Sequence, residues 1–227
     1  MEYWKNIGSI ATNYDLPNYA ERMQELLEIV LKHNNPAVAY SFLSDAKGID
    51  PAPIENLILR SGDPKFSYLC ARHLPNARIA EHLKVVLGSG NLYCMALFAC
   101  YIPNINTSTL QSYILEARNP KLAYMLLKYA PMIYLNKIKK IILDSKKSRY
   151  CYELAKHCTN KKDLLDIQNI LVNNKSILYV RLFAQNIQGV DIQSLERRIV
   201  KSRNKTQIER FAKNVKGATC GKLLSLV

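Results

Sequence analysis

Seven segments of this chain, starting at Asn34, Gly62, Gly90, Arg118, Lys146, Lys175 and Arg203, superpose with a period of 28 residues. The ninth position reads Phe42, Cys70, Phe98, Leu126, Leu154, Phe183, Phe211. The tenth reads Leu43, Ala71, Ala99, Leu127, Ala155, Ala184, Ala212. The twenty-fifth is equally apolar, with Ile58, Val86, Ile114, Ile142, Leu171, Ile199 and Val227. Only the fifth copy departs from the period, carrying one extra residue between about Thr159 and Leu164. A fixed period of this length marks a stack of repeats, in which one copy cannot bury its apolar face but a row of copies can. Every copy must then fold alike and meet its neighbours alike.

Each copy holds two apolar runs with helical spacing. In the fourth copy they are Leu122, Ala123, Leu126, Leu127, Ala130, and then Leu135, Ile138, Ile141, Ile142. Steps of three and four place each run on one face of a helix, and the alternation expected of strands is absent. Breaks recur at fixed places. Pro75, Pro103 and Pro131 share position 14, and Gly48, Gly189 and Gly217 share position 15. These end the first helix, since Gly tolerates positive φ and Pro offers no donor. Asn35-Pro36, Asp63-Pro64 and Asn119-Pro120 start the next copy, with Asx as cap and Pro in the first turn. The spacing therefore predicts an all-α solenoid of stacked helix–turn–helix pairs, about fifteen helices in all. Helices of about ten residues are marginal alone and depend on their neighbours.

The expected organisation is an N-terminal cap and partial repeat over 1–33, then seven helical-pair repeats over 34–227 in one continuous solenoid. Leu26, Leu27, Val30 and Leu31 match the second helix of a further copy, whereas Met1 to Pro17 lose the pattern and Trp4 reads as a cap anchor. At the other end Leu223, Leu224 and Leu226 leave an apolar surface, either a frayed cap or a place where a partner docks. No apolar run resembles a signal peptide or a membrane span. Most of the six cysteines fall at helical positions otherwise held by Ala, Leu or Phe. They read as small buried apolar groups in a reducing, intracellular setting, cytoplasm or nucleus.

Net charge is +14 and lies in one half. Residues 1–117 hold 9 Lys/Arg against 11 Asp/Glu, whereas residues 118–227 hold 23 against 7. A field of this kind attracts polyanions with a strong dependence on salt; lysines that merely keep a rod soluble are the plainer account. Repeat position locates the charges. Arg118, Lys121, Lys146, Lys147, Arg149, Lys175, Lys201, Arg203 and Lys205 cluster at the seam between copies. Lys128, Lys156 and Lys213, with Arg72, share position 11 near the end of the first helix, where they also suit the helix dipole. The second helices add Lys137, Lys139, Lys140, Arg197 and Arg198. These are the candidate polyanion-binding residues. Tyr40, Tyr68, Tyr124 and Tyr152 share position 7. Unpaired bases could stack there, but rings packed between copies are the plainer account.

Chemistry for catalysis is not found. Gly88-Ser89-Gly90 lacks the Lys-Ser/Thr of a phosphate loop and reads as a turn. His73 and His157 share position 12 three copies apart, too far for one site. No cysteine pair has metal-ligand spacing. No catalytic residue, cofactor or metal is expected.

Two copies carry a further signal: Phe183-Ala184-Gln185-Asn186-Ile187-Gln188-Gly189-Val190-Asp191-Ile192-Gln193-Ser194-Leu195-Glu196 and Phe211-Ala212-Lys213-Asn214-Val215-Lys216-Gly217-Ala218. The pattern resembles short α-helical repeats in proteins of giant DNA viruses and some large phages. Copies two to four depart from it, with Pro before the Gly site and Asn76, Asn104 or Met132 in place of Gly. The resemblance implies a helical solenoid in a viral or virion-associated setting, and it carries no catalytic residues. The expected function is a non-enzymatic interaction scaffold that binds another protein with an acidic surface. The alternative is a DNA- or RNA-binding protein that contacts the phosphate backbone through the basic half.

Overall fold

A computed structural model describes residues 18–130 and 134–219. Among them are fourteen α-helices and no strand. The chain is an all-α stack of helix pairs, as the period requires. It divides into two compact units, 1–110 and 111–227. The first holds α1 (Tyr19–His33), α2 (Pro36–Asp45), α3 (Ala52–Ser61), α4 (Pro64–His73), α5 (Ile79–Gly88) and α6 (Leu92–Tyr101). The division falls within α7 (Ser108–Glu116). The second unit continues with α8 (Pro120–Tyr129), α9 (Leu135–Ser145), α10 (Ser148–Ala155), α11 (Lys161–Asn173), α12 (Ile177–Asn186), α13 (Ile192–Lys201) and α14 (Lys205–Asn214). Within each unit a helix packs on the next and on the next but one. Helix α1 packs on α2 and α3 and buries Leu26, Leu27 and Val30, so it is the second helix of a partial copy. Trp4, the rest of the N-terminal segment, Pro131, Met132, Cys220 and the C-terminal leucines lie outside the described residues.

The seam is built by three residues in a row. Ser61, Ser89, Ser145 and Ser202 each donate a hydroxyl to the carbonyl three residues back, at 2.6–2.7 Å. Each also accepts from the amide two residues on. The residue after the serine is left-handed: Gly62, Gly90, Lys146 and Arg203, and likewise Asn34 and Arg118 at their own seams. An Asx side chain then caps the next helix at Asn35, Asp63, Asn91, Asn119 and Asn204. The turn inside each copy is as regular. Asn76 and Asn104 take φ +63° and +59°, the left-handed state of Gly48, Gly189 and Gly217. Asn at this place is therefore a conformational equivalent of Gly rather than a departure, because its short polar side chain tolerates αL. The extra residue of the fifth copy is absorbed by a longer second helix, α11, with 13 residues. There Asn160 caps the helix at φ −96° instead of making the left-handed turn.

The core runs along positions 9, 21 and 25. Phe42, Cys70, Phe98, Leu126, Leu154, Phe183 and Phe211 are all buried, as are Ile54, Leu110, Ile138, Ile167 and Leu195 at position 21. Each large side chain so buried contributes about 1.5–3 kcal/mol. Beside this core a polar side chain at position 22 ties each of several copies to the next. Glu55 accepts from the Arg78 amide at 2.8 Å, Gln168 from Asp191 at 2.9 Å, and Glu196 from Thr219 at 2.6 Å. In the fourth copy Lys139 takes this place and pairs with Asp163. Rings join the copies on the other side. Tyr40 packs on Phe66, Tyr124 on Tyr150 and Tyr152 on Tyr179, with centroids 5.5–6.0 Å apart. The tyrosines of position 7 thus serve packing between copies. At the same register Arg181 Nε donates to Gln207 at 2.9 Å, replacing the ring pair.

Candidate binding groove

Most of the basic residues singled out in the sequence are exposed, Lys139 and Arg198 being half-buried, but they do not form one surface. Position 11 lies at the far end of each first helix from the seam, about 15 Å away for a ten-residue helix. Its members are engaged locally. Lys156 pairs with Glu153 at 3.0 Å and sits over the Tyr152 ring, and Lys128 sits over Tyr129. Arg72 donates to the Tyr68 hydroxyl at 2.6 Å and stacks on Tyr101. The bonds to Glu153 and Tyr129 raise the ammonium pKa of Lys156 and Lys128 respectively. These residues belong to the aromatic ladder.

The seam is different. Between α7 and α9 lies an open groove of about 630 Å³. Arg118 and Lys147 come from the seams at either end of the fourth copy, and Lys137 and Lys140 come from α9. None of the four makes an ion pair with a described carboxylate. Leu115, Pro120 and Ile141 give the groove an apolar wall, and Glu116 and Asp144 also line it. The local structure explains the grouping. Lys137 and Lys140 are three residues apart and share the outer face of α9, while Lys139 points to the next copy and Asp163. Arg118 is held at φ +48° by the seam turn. An L-residue there costs about 1–2 kcal/mol, and Gly62 and Gly90 avoid that cost at the matching seams.

The matching groove of the first unit, between α3 and α5, is lined by Asn56, Leu59, Arg60 and Glu81 and measures about 410 Å³. It carries one base against one acid. At the matching place between α11 and α13, Arg198 donates to the carbonyls of Val172 and Asn174, both at 2.8 Å. A groove lined by four cations without a described carboxylate partner is therefore particular to the fourth copy among these. Repeat position in the sequence located Arg118 and Lys147. It did not bring them together with Lys137, Lys140, Leu115 and Ile141, because the groove forms only when the second helices of two copies lie side by side. Lys121, Lys146, Arg149, Lys175, Lys201, Arg203 and Lys205 are exposed seam residues outside its lining.

One other cluster has the residue types of a catalytic site. His82 Nε2 lies 3.0 Å from Glu55, and Arg78 Nε donates to the same carboxylate at 2.8 Å. Burial lowers the His82 pKa more than Glu55 raises it. Burial would raise the Glu55 pKa, but the bonds from the Arg78 amide, its guanidinium and His82 together hold it low. His82 is fully buried, so the cluster meets no substrate and is a tie between copies. Among the described cysteines Cys70, Cys94 and Cys151 are buried, and Cys100 and Cys158 partly so. Burial pushes the Cys70 and Cys100 thiols up to about 12 and Cys151 to about 11. Among the described residues no three His, Cys, Asp or Glu side chains stand close enough to hold a metal ion. No described helix is long and apolar enough to cross a membrane. Neither a protein-family model nor a curated protein matches the chain.

Proposed function

We propose that this chain is a non-enzymatic helical-repeat scaffold that binds another protein through an acidic face of that partner. One observation supports the reading: four cations without an ion pair to a described carboxylate line an open groove that also has an apolar wall. Stacked repeats commonly offer such extended surfaces. The likeness of two copies to repeats from giant DNA viruses and large phages fits a structural role in a virus.

The second reading is contact with the phosphate backbone of DNA or RNA. It is favoured by Lys146, Arg149, Lys175, Lys201, Arg203 and Lys205, which are exposed and make no ion pair with a described carboxylate. Equilibrium binding at about 50–100 mM salt separates the two. The scaffold reading expects polyglutamate to bind and to lose affinity when Lys137, Lys140 and Lys147 are neutralised together. Neutralising Lys32, Lys47 and Lys84 should leave it unchanged. Random nucleic acid binding more tightly than polyglutamate, with a salt slope about one unit flatter per cation removed, selects the second reading.

A further inference from the structure

The geometry points to the occupant of the α7–α9 groove: an acidic peptide segment of a partner protein that carries a large apolar side chain. This rests on the scaffold reading and names what the scaffold holds.

Three features of the lining select this class. The first is the surplus of charge, four cations against two carboxylates, with none of the four ion-paired to a described carboxylate and Lys137 over the Tyr134 ring at 5.3 Å. A segment bearing several Asp or Glu side chains complements it. The second is the wall made by Leu115, Pro120 and Ile141. A phosphodiester chain gains nothing from such a wall, whereas a leucine or phenylalanine buried there removes apolar area from water. Among the described residues of the lining none is aromatic, and the Tyr134 ring beside it is already covered by the Lys137 ammonium. The third is the placing of Glu116 and Asp144. Both occupy position 27, one in each of the two copies that form the groove. They would repel a uniformly anionic backbone from both copies. To a peptide they offer acceptors for its main-chain N–H groups, which are obligatory donors.

Comparison of grooves supports the assignment. In the first unit, position 20 of the second copy is Glu81 where the fourth copy has Lys137, position 1 is Gly62 where it has Arg118, and position 23 is Lys84, a cation like Lys140. In the sixth copy position 24 is Arg198, whose guanidinium is spent on two main-chain carbonyls, where the fourth copy has Ile141. The fourth copy therefore combines the basic positions with an apolar one.

The backbone at Arg118 gives an independent handle. Its left-handed conformation is better served by glycine, so Arg118→Gly should leave the melting temperature unchanged or higher. A residue retained for the turn alone would show no other effect. A residue that meets the ligand's carboxylates would show weaker binding in a protein at least as stable.

The test uses the full chain and three labelled probes in fluorescence anisotropy at low salt. One is a peptide of glutamates flanking a central leucine, the second has glycine for that leucine, and the third is random single-stranded DNA of matched charge. The leucine peptide should bind about tenfold more tightly than the glycine peptide, as burial of much of one leucine requires. Ile141→Ser should remove that advantage and leave the glycine peptide unaffected. Lys137→Ser with Lys140→Ser should weaken both peptides, and Arg118→Gly should do so without lowering the melting temperature. Equal binding of the two peptides, or an Ile141→Ser chain that keeps the preference, overturns the inference. If charge-driven peptide binding still persists in that case, the scaffold reading stands. DNA binding more tightly than both peptides overturns both and selects the backbone reading. Failure of all three probes to bind also overturns both.

Discussion

His82 occupies a place that the other described copies give to isoleucine or leucine, and it is fully buried there. Its Nε2 faces Glu55, and its Nδ1 has no hydrogen-bond partner. The neutral ring, with Nε2–H donating to the carboxylate, suits this site, whereas a protonated Nδ1 would leave a buried donor unmet. Burial holds the folded pKa below its ordinary value of 6.5. The unfolded chain therefore takes up the proton first as pH falls. The stabilisation is complete above about 6.5 and is lost as pH drops from there through the folded value. Glu55, also held low, adds a similar loss at more acid pH, below its ordinary 4.5. Thermal melts should show a falling Tm as pH drops below about 6.5, and His82→Leu should flatten that part of the curve. Glu55→Ala should cost roughly 2–4 kcal/mol, because it strands the Arg78 amide and the ring together. A loss near zero in chemical denaturation would mean that water reaches both.

The helices depend on their ends and on close approach. Ser89→Ala removes both hydroxyl bonds at one seam turn and should cost about 1 kcal/mol. Lys146→Gly relieves a left-handed lysine and should gain up to about 1 kcal/mol, less the extra entropy of glycine in the unfolded chain. Ala155 and Ala184, both buried at position 10, leave no room for a larger side chain. Leucine at either should overpack and cost about 1–3 kcal/mol, read from thermal melts. Most of this scale was legible beforehand. Position 9 of the repeat named a core residue in every copy, and Asn35, Asp63 and Asn119 were seen as caps because Asx-Pro has one strong local meaning. The seam serine was overlooked, although Ser61, Ser89, Ser145 and Ser202 recur at position 28. Its role lies in hydrogen bonds, which an apolar register does not weigh. The ties at position 22 were missed for a related reason. Glu55, Gln168 and Glu196 read as solvated polar residues until the next copy is laid beside them.

Across the molecule, the charge asymmetry was plain from the sequence and the groove was not. Arg118 and Lys137 line one groove with Leu115 of α7 and Lys140 of α9, and sequence distance does not show that. The excess of cations after residue 118 should also govern kinetics. Association of the chain with polyglutamate should slow steeply between about 20 and 200 mM salt, as for other steered encounters. Stopped-flow rates for a chain neutralised at Lys201, Arg203 and Lys205 should depend on salt less steeply. Rates that ignore salt would place the contact outside the basic half. A last consequence comes from the ties between copies. Three of them end on a main-chain amide, of Arg78, Asp191 or Thr219, and an amide is supplied by any residue other than proline. A copy duplicated in register would find its connection already in place, whatever side chain stood there. The link between Lys139 and Asp163 is the exception, since it needs a particular partner. The array can thus lengthen by tandem duplication almost anywhere, and the copy that carries the basic groove is the one least free to be shuffled.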